Sequence, residues 1–207
     1  MTLLFVFDMD DVLYDYDIPT RMAGLSALTG MEIAEMRRRW WTREGEWAAE
    51  EGFYATAEDY HSAFTAALGV LVPVAEWVAN RRSAMTPLPD SIAASERAAE
   101  LGAVSLLTNN NALLGAHLPV VAHELVPAFG PDHLRASAYY RARKPGRVVF
   151  DRLLASYAAD PADVFFTDDR EDNVRGAEET GITGHVYRDA TGLLAAIEDF
   201  AARRGRV

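Results

Sequence analysis

Five apolar residues, Leu3 to Phe7, run directly into a cluster of acids at Asp8, Asp10 and Asp11. A short unbroken apolar run of this kind suits a strand of a parallel sheet, because helices cover both of its faces. Ligands of open α/β sheets bind outside the carboxyl ends of the strands, so the acids lie where a site belongs. Alternate side chains of an extended chain face the same way, and Asp8 and Asp10 can address one site while Met9 turns aside. Close carboxylates repel one another by about 4 kcal/mol per pair at an effective dielectric near ~20, so the cluster calls for a cation. The plain alternative is an acidic strand-to-loop turn with no chemistry.

The rest of the chain continues an α/β pattern. Val12 to Asp17 reads as a flap or turn leaving the sheet, and Thr20 to Ala84 as a helical block without strand alternation. Within it Ile33, Met36, Trp40 and Trp47 line one side of a helix that Gly45 can interrupt. Thr56 to Asp59 spells a capping box, Gly69 a stop and Pro73 the next helix start. Past Pro87 and Pro89, Asp90 is the expected N-cap of a helix ending at Gly102. Strands are expected at 103–107, 135–139, 164–166 and 185–187. Helices are expected to begin at Pro145, to run to Gly181 and to span 192–203. This alternation implies a doubly wound parallel sheet with right-handed crossovers. The expected organisation is an α/β core of residues 1–16 and 88–207, with residues 17–87 a small helical cap inserted after the first strand.

Composition narrows the function. A net charge of −11 argues against nucleic acid or an anionic membrane as partner. The absence of cysteine removes disulfides, thiolate catalysis and cysteine zinc sites. The opening apolar run lacks a basic flank and is no signal peptide, and a cytoplasmic protein is expected. The five histidines show no metal-ligand spacing.

Four stretches fall at strand ends or on the same rim: Asp8-Met9-Asp10, Thr108-Asn109, Lys144-Pro145 and Asp168-Asp169. Singly, Thr108, Asn109 and Asp169 are ordinary helix caps and Lys144 a surface lysine. Together, and in this order, they supply what phosphoryl transfer needs: a nucleophile, an acid, phosphate donors, a cation and a metal site. In these motifs the chain resembles the haloacid dehalogenase superfamily of aspartate-nucleophile phosphatases over its whole length. Thr108-Asn109-Asn110 and Asp168 through Asn173 are most similar to bacterial α-D-glucose-1-phosphate phosphatases and to the phosphatase domain of soluble epoxide hydrolases. Two positions depart from the family pattern. Asp11 stands where glycine is usual, and Asn173 where many relatives carry a further aspartate.

The resemblance implies a role for each residue. Asp8 is the nucleophile, and Asp10 protonates the leaving alcohol and then deprotonates water. Thr108 and the backbone N–H groups of Asn109 and Asn110 cradle the phosphoryl oxygens, while Lys144 balances negative charge. Mg²⁺ is the implied cofactor, held by Asp8, the Asp10 carbonyl and Asp169, with Asp168 one shell out; which of the adjacent pair touches the metal stays open. The implied activity is a phosphomonoesterase acting on a small phosphorylated metabolite, with a sugar phosphate among the candidates, in a monomer or homodimer. A phosphomutase shares the catalytic set. A metal-independent dehalogenase needs neither Asp10 nor Asp169, and a degenerate binding module would have lost part of the set. Trp41, Arg43, Glu46, Trp47 and Tyr54 are the expected contacts to the leaving group. Arg37-Arg38-Arg39 reads as a solvated helix face, from which one arginine could reach a phosphate or sugar.

Overall fold

A computed structural model describes residues 2–205. Its strands in chain order are β1 (Leu4–Phe7), β2 (Tyr14–Tyr16), β3 (Met85–Pro87), β4 (Ala103–Leu106), β5 (Val164–Asp168) and β6 (Thr183–Val186). Four of them form an all-parallel sheet in the order β4-β1-β5-β6. The apolar opening run is therefore central, and it is buried on both faces. Phe5 and Phe7 enter one core with Val104, Leu106, Phe165, Ile197 and Phe200. Leu4 and Val6 enter the other with Val149, Phe150, Leu153, Phe166 and Val174. The period-two alternation of β1 thus divides the molecule into two apolar layers, each covered by helices. Among the described residues no single helix is long and apolar enough to cross a membrane.

Between β2 and β3 the chain is helical: Ile18–Thr29, Ile33–Arg39, Ala57–Leu68 and Val74–Ser83. The capping box forms as expected. Thr56 Oγ1 accepts from the Asp59 N–H at 3.0 Å and Asp59 accepts from the Thr56 N–H at 3.2 Å. These helices bury an aromatic cluster in which Trp40 meets Phe64 edge-on at 5.5 Å and Tyr60 meets Trp77 at 6.1 Å. Such tilted contacts match the quadrupoles of the rings.

Several expectations need correction. The stretch read as a flap holds β2, which pairs antiparallel with β3, so a two-stranded ribbon carries the chain out of the sheet and back. No strand forms at 135–139. Ala136 makes a single bridge to Thr108, and Ser137 to Tyr140 then wind into a 3₁₀ turn. The Ser137 hydroxyl donates to the Glu50 carbonyl at 2.7 Å and accepts from the Asn110 N–H at 3.1 Å, which turns the chain away from the sheet edge. Asp90 is not the N-cap: the helix begins at Pro89, placing Asp90 in its first turn. Pro145 precedes its helix, which starts at Arg147. Trp47 does not share the buried side of Met36 and Trp40. Gly45 leaves helical geometry at φ −97°, ψ −105°, and Trp47 emerges 51% exposed.

The aromatic cluster sets a stability test. Phe64→Ala removes a fully buried ring and is expected to cost about 3–5 kcal/mol in urea unfolding, against about 1 kcal/mol for Thr56→Ala. A smaller loss at Phe64 than at Thr56 contradicts the packing described.

Candidate active site

The carboxyl end of β1 delivers Asp8 beside the end of β5, where the Asp8 N–H donates to the Thr167 carbonyl at 3.0 Å. The parallel register pairs Phe7 with Thr167, so the next residues, Asp8 and Asp168, emerge side by side. Between them lies the Lys144 ammonium, 2.8 Å from Asp8 Oδ1 and 2.7 Å from Asp168 Oδ2, on a side chain only 1% exposed. Asn109 holds this lysine's backbone, donating to the Lys144 carbonyl and accepting from its N–H, both at 2.9 Å.

The two aspartates differ in charge environment. Burial raises the Asp8 carboxyl well above its ordinary value and Asp168 adds to this, while Lys144 only partly opposes it. Burial also pushes on Asp168, but Lys144, Asn173 and the Arg170 N–H outweigh it and hold that carboxyl below its ordinary range. Lys144 is raised because Asp168 and Asp8 together outweigh its desolvation. One residue is thus a committed anion and the other an anion under strain. Perturbed groups of this kind cluster at functional sites.

Hydrogen bonding separates them further. Asp8 Oδ1 accepts from the Met9 N–H and lies against Lys144, whereas Oδ2 accepts from no described residue. Both Asp168 oxygens are occupied by Asn173 Nδ2, at 2.9 and 3.0 Å, with the Arg170 N–H and Lys144 completing the set. An amide at position 173 is a donor, which a carboxylate there would not be. Asp169 is half-buried, and its side chain makes no hydrogen bond to another described residue. Burial and the neighbouring Asp168 raise its carboxyl. Carboxylate oxygens of Asp8, Asp168 and Asp169 all lie within 4.8 Å of one another. The Asp10 carbonyl accepts no backbone hydrogen bond from a described residue. Oxygen donors at this spacing fit a hard divalent cation.

Asp11 follows in the left-handed region, φ 60°, where glycine is favoured. Aspartate is tolerated because its short side chain bonds locally, here accepting from the Tyr16 N–H at 3.2 Å.

Asp8, Asp10, Thr108, Asn109, Lys144 and Asp169 line one open cavity of about 590 Å³. Asn110 is not among its walls. Its N–H is already engaged by Ser137, and the helix beyond it starts only at Ala112, so it is not available as a phosphate donor there. The Thr108 hydroxyl accepts from Asn110 Nδ2 at 2.7 Å, and the Asn109 N–H has no partner among the described residues.

Asp10 points toward the helical insert. Arg81 Nη2 donates to both of its oxygens at 2.6 and 2.8 Å, and the same guanidinium stacks 3.8 Å over Tyr16. Arg81 is 2% exposed and is the residue the sequence reading missed most plainly. The doublet Arg81-Arg82 ends a helix just before β3, where basic residues are routine, so only the ribbon pairing could have exposed its role.

A second cavity of about 310 Å³ joins the first at Asp10, Tyr16, Trp47 and Asn109. Of the five insert residues expected there, Trp41, Glu46 and Trp47 line it, while Arg43 and Tyr54 do not. The helix ends at Arg39; Trp40, just past it, is buried, and Trp41 is half-buried, edge-on to Phe64 at 6.3 Å. Glu46 is fully committed: Oε2 accepts from Trp40 Nε1 at 2.5 Å and from the Tyr60 hydroxyl at 2.8 Å, and Oε1 from Asn111 Nδ2 at 2.7 Å. Glu50, also in this wall, lies 2.8 Å from Arg143. Burial pushes its carboxyl up to about 8; Arg143 opposes this, Glu46 adds to it and Lys144 weakly lowers it.

Glu50 makes a pH test. A carboxyl raised on folding contributes stability that is complete below its unfolded value and is lost as pH rises through about 8. Relative to Glu50→Gln, the wild-type protein is therefore expected to lose stability between pH ~5 and ~9, by at most about 1.4 kcal/mol per pH unit. Parallel curves of unfolding free energy against pH for the two proteins contradict this.

The comparisons with known proteins agree with this geometry. The family model for haloacid dehalogenase-like hydrolases matches residues 2–181. Among solved structures, a HAD family enzyme of Bacteroides thetaiotaomicron, in complex with magnesium and inorganic phosphate, superposes with a TM-score of 0.71 at 19% identity, over 91% of this chain and 95% of that one. A predicted HAD-like hydrolase of Porphyromonas gingivalis reaches 0.74 at 19% identity, over 96% and 97%. A 2-haloacid dehalogenase of Pseudomonas syringae pv. Tomato reaches 0.65 at 17% identity, over 99% and 100%. At such identities structural likeness speaks for the fold alone; the family match covers most of the sequence, and the chain belongs to the haloacid dehalogenase-like hydrolases.

Proposed function

We propose that this hydrolase is a Mg²⁺-dependent phosphomonoesterase that forms an aspartyl-phosphate on Asp8 and acts on a small phosphorylated metabolite. The observation that carries the reading is an Asp8 carboxyl with one oxygen held by the buried Lys144 ammonium and the other uncommitted, beside the free carboxyl of Asp169. Asp8, the Asp10 carbonyl and Asp169 would hold the metal. Asp168 is better suited to fixing Lys144 than to coordinating, since its oxygens are filled. When bound, Mg²⁺ supplies the positive charge that lets a dianion enter an acidic cleft.

The residues divide the chemistry. Asp8 Oδ2 attacks phosphorus in line, forming the Asp8 O–P bond as the ester P–O bond breaks. Lys144 and the Asn109 N–H stabilise charge on the phosphoryl oxygens, with the Thr108 hydroxyl beside them. The Asp10 carboxyl gives its proton to the departing alkoxide and later takes one from the water that hydrolyses the aspartyl-phosphate. Arg81 fixes the orientation of Asp10 from the insert side. The helical insert acts as a cap, closing over the phosphoryl group and excluding water. The Bacteroides neighbour's complex with magnesium and phosphate supports this reading. Dehalogenation by the same nucleophile has no use for Asp10 or Asp169, and both are present and placed.

Aryl phosphate hydrolysis is expected to vanish in EDTA and return with Mg²⁺, with little rescue by Ca²⁺, whose longer and more numerous bonds hold in-line geometry loosely. Incubation with 2-chloropropionate is expected to release no chloride with or without metal. Full phosphatase activity in chelated buffer, or halide release, contradicts the proposal.

A further inference from the structure

Taking the phosphatase reading as its basis, we propose that the alcohol portion of the substrate carries a second anionic group, a carboxylate or a phosphate. Arg37 and Arg21 in the adjoining cavity receive it. That cavity meets the catalytic one at Asp10, the residue placed to protonate the leaving oxygen. Whatever is attached to that oxygen therefore extends into the adjoining cavity, whose volume of about 310 Å³ suits a small fragment rather than a polymer.

The charges in its wall are unevenly matched. Asp10 is paired with Arg81, and Glu50 with Arg143. Glu46 is engaged by three neutral donors, Trp40, Tyr60 and Asn111. Two guanidinium groups remain. Arg21 is 5% exposed, yet its Nη1 donates only to neutral acceptors, the Trp77 carbonyl at 3.1 Å and Asn80 Oδ1 at 2.5 Å. Burial holds this guanidinium below its ordinary range and the Arg81 cation adds to that, while Tyr16, Tyr60 and Glu46 only partly oppose it. The group also lies 4.3 Å over the Trp77 ring and makes no ion pair among the described residues. Arg37 has no carboxylate partner among the described residues, whereas Arg38 and Arg39 both pair with Glu35.

A buried cation with only neutral hydrogen-bond partners, as Arg21 is, is costly, and an anion arriving with the substrate reduces that cost; Arg37 is exposed and adds its charge at the cavity wall. Guanidinium forks suit both carboxylate and phosphate oxygens. A neutral polyol offers no charge to these two cations. Tyr16, Trp41 and Trp47 contribute flat faces for the intervening carbons.

The test compares binding without turnover. Calorimetry on the Asp8→Asn protein with Mg²⁺ measures 3-phosphoglycerate against glycerol 3-phosphate, and fructose 1,6-bisphosphate against fructose 6-phosphate. At least one member with two anionic groups is expected to bind ten times or more tighter than its partner that carries the phosphate alone, and the winning pair identifies carboxylate or phosphate. Arg37→Gln is expected to reduce that preference at least fivefold, while Arg38→Gln, outside the cavity, leaves it unchanged. Equal affinities within both pairs, or a preference that survives Arg37→Gln, overturn the proposal. Aryl phosphate turnover by the wild-type protein is scored separately. Its absence would sink the phosphatase reading while the binding comparison still decides whether the cavity takes a second anion.

Discussion

The site depends on one buried cation. Lys144 bridges Asp8 and Asp168 at 2.8 and 2.7 Å, and breaking a buried pair of this kind typically costs about 3–5 kcal/mol. Sheet topology explains why the two acids meet at all. Strands β1 and β5 are distant in sequence but neighbours in space, and their register brings both chain ends to one point. Asn109, at the end of β4, then positions the lysine by gripping its backbone from both sides. Three strand ends and one loop thus converge on a single ammonium group. Lys144 leaves Asp8 strained and Asp168 satisfied, an asymmetry that suits the one to the proposed attack and the other to holding the lysine.

A second set of polar contacts ties the helical insert to the sheet. Arg81 reaches Asp10, Glu46 reaches Asn111, and Glu50 meets Arg143. Behind them the Tyr14 hydroxyl donates to Glu124 at 2.9 Å, and Arg82 pairs with the same carboxylate. Each contact joins residues far apart in sequence, and each lies near the β2–β3 ribbon or the cavity it leads to. The insert is therefore coupled to the site through charge.

The sequence made much of this legible, for identifiable reasons. The strand ending at Asp8 was readable because a buried parallel strand has to be uniformly apolar and its acids then stand out. The capping box at Thr56 was readable because it is local in sequence. Asp90 and Pro145 mislead by only a residue or two; the larger failures are non-local. Residues 135–139 fall where a further strand is expected, but Ser137 bonds to Glu50 and Asn110 and the chain winds into a 3₁₀ turn. Those same bonds removed the Asn110 N–H from the phosphate cradle. Arg81 was invisible because its importance comes from the ribbon, two three-residue strands too short to show periodicity. Glu46 is expected to contact the leaving group as a charged side chain of the insert, whereas in the structure its oxygens are taken by Trp40, Tyr60 and Asn111.

The central claim is that Asp8 becomes phosphorylated. An aryl phosphate is the suitable substrate, because its leaving group needs little protonation and the covalent step outruns hydrolysis. Enzyme turning over such a substrate with Mg²⁺, quenched in acid and digested, can be examined by mass spectrometry of the peptide containing Asp8. The account predicts a phosphoryl group on Asp8, absent when substrate is omitted. Product formation with unmodified Asp8, or phosphorylation at any other residue, contradicts it.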